Sequence, residues 1–191
     1  MKKFSKLLVL TMLISFGALS QSKLPPLDKS PMDMSYLPVN YPIMKIQNIA
    51  QNKPTEPLIA RLIYSRPQKN GRIVFGELVE YGQVWRLGAN EATELELNRD
   101  VKVAGNKVKR GRYTMYAIPF TDKWTIILNK ETDIWGAFQY DQKKDILRVD
   151  VRTEKQDEIT EAFTITFEKA TGGGNMILAW DDVKTILPFS Y

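Results

Sequence analysis

Trp85, Arg86, Asn90 and Glu91 sit in one short run, Gly82 to Leu97, that passes directly into a strand-like pattern. An indole, a guanidinium, a carboxamide and a carboxylate this close together suit recognition of a polar ligand. The indole supplies a flat apolar wall, and the guanidinium a fork for acidic groups. The amide and carboxylate fix orientation by hydrogen bonding. In the alternating part of the run, Leu95 and Leu97 share a face with Thr93 and Glu91, while Glu94 and Glu96 face away. This parity turns Glu91 toward the core, where a carboxylate needs a cationic partner. Arg86, Arg72 and Arg66 are the nearest in sequence. Arg66 and Arg72 also flank a Pro/Gly loop, Tyr64 to Arg72, as an anion clamp would. The expected ligand-binding residues are therefore Arg66, Arg72, Trp85, Arg86, Asn90 and Glu91. The same groups also fit a purely structural role, with an ion pair and an amide pinning the loop and Trp85 packed in the core.

The chain has no His and no Cys. That removes imidazole bases, thiolate nucleophiles, Ser-His-Asp triads and the usual zinc ligands. No Walker or dinucleotide-binding glycine pattern is present. Asp28, Asp33, Asp181 and Asp182 match no calcium-loop spacing, so neither a metal nor a cofactor is expected. If the protein is an enzyme, Glu91 is the catalytic carboxylate of a hydrolase acting on carbohydrate or another envelope polymer. A second carboxyl group must then stand about 5–9 Å away, and Glu77, Glu80 and Asp182 are the nominal choices. Trp124, Trp135 and Trp180 read as packing residues rather than a sugar platform.

These groups must be positioned by a fold made almost wholly of strands. Residues 58–64, 92–98, 111–118, 124–129, 146–152, 163–167, 176–180 and 183–189 have strand patterns, separated by Gly, Pro and Asn. Lys102 to Val108 reads as a hairpin around Ala104-Gly-Asn106. Trp124 to Leu128 is apolar on both faces, as in a central strand. Residues 71–83 and 134–144 are the least strand-like and each accommodates one short helix or turn. The pattern predicts an all-β, antiparallel sandwich, jelly-roll-like or Greek key, over residues 57–191.

Before it, residues 21–56 form a Pro-rich arm, extended and packed along the domain, in which regular helix or central strand is not expected. Residues 1–20 read as a signal peptide. Lys2, Lys3 and Lys6 form the basic region, and Leu7 to Leu19 an apolar stretch too short to span a bilayer comfortably. The formal charge of +5 owes three units to those lysines, leaving 24 basic against 22 acidic side chains. That balance argues against a nucleic-acid partner. The protein is expected to be exported, periplasmic or secreted, with no stable membrane insertion once the signal is removed.

A wider set of residues carries a resemblance. Tyr64 to Pro67, Gly71-Arg72, Phe75-Gly76, Val84 to Arg86, Gly88 to Thr93, Gly111 to Tyr113, Ile118-Pro119, Trp124 to Asn129 and Ala179-Trp180 together resemble the bacterial domain-of-unknown-function family 2911. The resemblance covers nearly the whole chain after residue 20. It implies an exported bacterial domain, a β-sandwich in cell-envelope settings, and brings no established activity or catalytic residue. The segment Leu27 to Asp33 is similar to a block that precedes the domain in some exported relatives. The leading expectation is a protein that binds a small acidic or hydroxyl-rich ligand, a glycan included, or an envelope partner, without turnover. The hydrolase above and a structural interaction module are the alternatives.

Overall fold

The computed structural model describes residues 24–191; the signal-peptide reading lies outside them. The elements are β1 (Met32–Leu37), α1 (Tyr41–Ala50), β2 (Ala60–Ser65), β3 (Glu94–Leu97), β4 (Val101–Val103), β5 (Asn106–Val108), β6 (Gly111–Pro119), β7 (Lys123–Asn129), a 3-10 turn (Gln142–Lys144), β8 (Asp145–Ala170) and β9 (Gly173–Ser190). The strands form one antiparallel order, β1-β2-β3-β6-β7-β8-β9-β4-β5. All-β architecture with one α-helix is as expected. One group of paired strands, β1-β2-β3-β6-β7-β8, and another, β8-β9-β4-β5, are joined through the long strand β8.

Strand alternation explains the core. Register sets Leu62 opposite Leu95, and Leu95 opposite Tyr113. The next row is Met115, Leu128 and Leu147. All six are buried on one face, and each side chain contributes about 1.5–3 kcal/mol by leaving water. β7 is central, between β6 and β8. Its Trp124, Ile126 and Leu128 enter the main core, while Ile127 joins Ala92 and Tyr116 in a small cluster on the opposite, outer face.

Two pairs of expected strands are fused. Residues 146–152 and 163–167 belong to the one strand β8, and 176–180 and 183–189 to β9. Register breaks between Lys155 and Thr160, and again before Thr164, interrupt the long hairpin opposite Asp181, whose φ is +57°. Bulges bend a strand without ending it. Beyond the breaks the hairpin tip folds back over its own base, so that Phe167 and Phe189 meet with ring centroids 5.6 Å apart. Between the breaks β8 bonds instead to the segment after β2: Phe163 N donates to Pro67 O (2.9 Å) and Lys69 N to Glu161 O (2.8 Å). The curled ladder thereby encloses one core.

The Pro-rich arm is more regular than its composition suggests. β1 is an edge strand paired along its length with β2, and α1 follows it. Pro42 falls in the first turn of α1, where a missing N–H costs nothing. Pro54 lies beyond the helix end, so no proline interrupts it. Among the described residues no helix is long and apolar enough to cross a membrane.

Candidate functional site

The signature run is held by its own side chains. Thr93 Oγ1 donates to Leu87 O, Trp85 Nε1 to Gly88 O (3.1 Å) and Ser65 Oγ to Ala89 O (2.6 Å). Three consecutive loop carbonyls are thus satisfied by three buried residues. Gly88 has no room for a side chain, since a Cβ there would stand 3.0 Å from Ser65 O. Trp85 pairs with Ala117 through both backbone hydrogen bonds, at 2.7 and 2.9 Å. Its indole stacks on Trp180 (5.8 Å, 20°) and meets Phe163 at 4.9 Å and Trp124 at 5.7 Å. It is buried at the centre of an aromatic core, which corrects the expectation of an indole facing a ligand.

Glu91 is the second correction. It is exposed and forms no ion pair among the described residues. Parity fails because β3 starts only at Glu94, and Glu91 lies outside it, in a separate bridge with Trp135. Period-two alternation holds only while the backbone stays in the regular strand, so it does not extend back to residue 91.

The arginines do not converge either. Arg66 bridges the fold: it pairs with Asp33 (3.1 Å), donates to Thr164 Oγ1 (2.8 Å) and donates to Phe163 O (3.2 Å). It fastens β1 to the returning half of β8. Arg72 is spent on its own loop, on the carbonyls of Lys69 (2.9 Å) and Gln68.

Arg86 is half-buried and has no carboxylate partner among the described residues, and its enclosed Nε has no hydrogen-bond acceptor there. Burial lowers its pKa, with no anion to oppose the shift. Arg86→Met should therefore leave unfolding stability unchanged or raise it by about 1 kcal/mol, because no pair is broken. A loss of about 3 kcal/mol or more in urea denaturation would show that the guanidinium has an indispensable partner.

What the outer face does assemble is an aromatic loop beside Glu91. Ala92 N donates to Ile134 O (2.8 Å), and Gly136 N donates to Asn90 O (2.9 Å). These bonds clamp Trp135 against Glu91 in an isolated antiparallel bridge. Trp135 is 60% exposed and Phe138 85% exposed. Alongside lies a hollow of about 200 Å³ lined by Met32, Ile63, Glu91, Ala92, Glu94, Asp133 and Ile134. Glu94 accepts from Asp133 N (2.8 Å) and pairs with Arg112 (3.6 Å), and Asp133 also pairs with Arg112. Glu91 is thus the carboxylate of this hollow left without a partner. The second carboxylates nominated from sequence, Glu77, Glu80 and Asp182, do not line it.

The far end of the loop is anchored by a polar cluster that the sequence reading missed. Asp145 has a side chain only 6% exposed and pairs with Arg148 (2.9 Å). It also accepts from Asn129 Nδ2 (2.8 Å) and from the Tyr140 hydroxyl (2.6 Å). Arg148 in turn donates to the Tyr140 oxygen at 2.7 Å. Burial first, then the Asp145 carboxylate, pushes Tyr140 up to about 12. Tyr140 meets Tyr116 edge to face at 5.2 Å. Only the register of β8 hinted at this arrangement, because Arg148 falls on the outer face opposite Ile127. No group of three or more acidic residues placed to hold a metal occurs among the described residues.

Fold and site define an antiparallel all-β protein that carries a pinned aromatic loop, edged by a free carboxylate, on its outer face. The chain belongs to the family described as protein of unknown function (DUF2911), whose model matches residues 47–189, from within α1 to the end of β9. Comparison with curated proteins and with solved structures returns no match.

Proposed function

We propose that this protein binds a hydroxyl-rich ligand of the glycan class, without turnover, on the face formed by Trp135, Phe138, Asn90 and Glu91, and that it does so after export. The observation that carries this reading is the exposed Trp135 indole, held in place by backbone hydrogen bonds beside an unpaired carboxylate. A large aromatic ring in water on a fixed loop is an ordering cost met in advance, which favours binding. The flat indole suits the C–H face of a sugar ring, Glu91 accepts hydroxyl hydrogens, and the hollow beside it admits a substituent. The reading of binding without turnover is supported by the arrangement of the carboxylates that share this hollow. Arg112 engages Glu94 and Asp133, the other two carboxylates lining it, which holds both as ion-pair partners and away from acid/base work. Export rests on the basic and apolar N-terminal pattern.

The test uses tryptophan emission. Trp85, Trp124 and Trp180 are buried, so acrylamide quenching reports chiefly on Trp135. Neutral and acidic oligosaccharides should shield it. Trp135→Ala should weaken binding at least tenfold, about 1.4 kcal/mol, with a stability change within about 0.5 kcal/mol, as for an exposed position. If no oligosaccharide shields the indole, or if the alanine variant binds as well as the parent chain, the reading is wrong.

A further inference from the structure

The hairpin of β4 and β5 lies at the far end of the strand order from β1 and takes no part in the aromatic face. Between Arg99 and Arg110 the chain carries five cations, Arg99, Lys102, Lys107, Lys109 and Arg110, against one acid, Asp100. Ala104 and Gly105 have φ of 46° and 81°, the two positive values of a type I′ turn. Such a turn fixes register: Val101 stands opposite Val108, and Lys102 opposite Lys107. The valines enter the core, so alternation drives Lys102, Lys107 and Lys109 to the other face together. Ser190 of β9 faces Lys102 from the other side.

These residues line a cavity of about 610 Å³ with Tyr191 at its edge. Arg99 lies over the Tyr191 ring at 5.8 Å. Asp100 also lines the cavity, and its carboxylate accepts from Arg110 N at 2.8 Å. None of the three lysines has an acidic partner among the described residues, although Lys69, Lys123, Lys155 and Lys184 each have one. Like charges placed directly opposite destabilise a strand pair, and an anion seated between them removes that repulsion.

We infer that this cavity is a second site, for a ligand carrying closely spaced phosphate groups. Ammonium groups hold phosphate as point charges without the fixed geometry an arginine fork requires. The volume, about 610 Å³, falls in the small-molecule range, and the cavity opens broadly to solvent. The competing explanation is that lysines on an edge hairpin simply discourage pairing with another chain.

Titration calorimetry with inorganic tripolyphosphate separates the two, with a glycerol-phosphate oligomer as the arm for phosphate carried on a polymer. Saturable binding of tripolyphosphate is expected, weakening steeply as salt rises. K102Q/K107Q should weaken it at least tenfold while the ligand-free melting temperature stays level or rises. Trp135→Ala should leave it unchanged, which keeps this site distinct from the aromatic face. Preference for the oligomer over tripolyphosphate would overturn the close spacing. Equal binding by K102Q/K107Q, or no saturation by either probe, would overturn the site. Self-association of the double variant without loss of tripolyphosphate binding would leave edge protection as the role of these lysines.

Discussion

Trp85→Ala should destabilise the protein by about 3–5 kcal/mol, the range for removing a large aromatic from a packed core. The side chain lies among Phe75, Trp124, Phe163 and Trp180, contributed by the loop after β2 and by β7, β8 and β9. Its deletion opens a void that several rigid elements cannot close at once, and it orphans the Gly88 carbonyl that the indole satisfies. Urea denaturation monitored by circular dichroism measures the loss. Since single domains are stable by about 5–15 kcal/mol, the variant should melt far earlier or fail to fold. A loss under 1 kcal/mol with weakened ligand binding would instead return Trp85 to the role of pocket wall. Trp85→Phe should recover part of the loss, because it keeps ring packing but not the N–H.

Gly173→Ala should be nearly as damaging, for a steric reason. A Cβ at this position would stand 1.9 Å from the Phe189 carbonyl oxygen and 2.8 Å from its carbon, both backbone atoms. No rotamer change can relieve such a contact, so one end of β9 must move away from the other. Overpacking typically costs about 1–3 kcal/mol, and a clash with backbone belongs at or above the top of that range. The neighbouring Gly172 is the control. It has φ of +72° and open space around it, so alanine there meets only the left-handed backbone penalty of about 1–2 kcal/mol. If Gly173→Ala and Gly172→Ala destabilise equally, the hairpin does not fold back as closely as described.

Much of the fold was legible because its strands alternate cleanly. Phe163, Ile165 and Phe167, and Leu147 and Val151, are buried as their spacing requires. The structural reading of Trp85 was likewise available, as a core residue beside a pinned loop. The site was less legible, and the reasons are local. β3 begins only at Glu94 and Glu91 bridges to Trp135 instead, so the alternation on which the orientation of Glu91 depended does not reach it. Arg66, a convincing anion clamp by sequence, spends its guanidinium on Asp33, Thr164 and a carbonyl brought from nearly a hundred residues away. The extent of β8 and β9 escaped notice because bulges interrupt the pattern without interrupting the strand. Helix α1 was obscured by counting prolines without placing them. Trp135 has no local mark of exposure, and only the backbone bonds to Asn90 and Ala92 set it outward.

The return of the β8–β9 hairpin bears on the order of events as the chain is made. The partner on which Trp85 stacks is Trp180, and the backbone that seals Pro67 and Lys69 lies at Phe163 and Glu161. A nascent chain ending before these positions carries β1 to β7 without the residues that close the core around Trp85. Contacts of such sequence separation form slowly. Completion of the core therefore waits for the last strand, and shortened chains lacking β9 should be captured by chaperones rather than accumulate in native form.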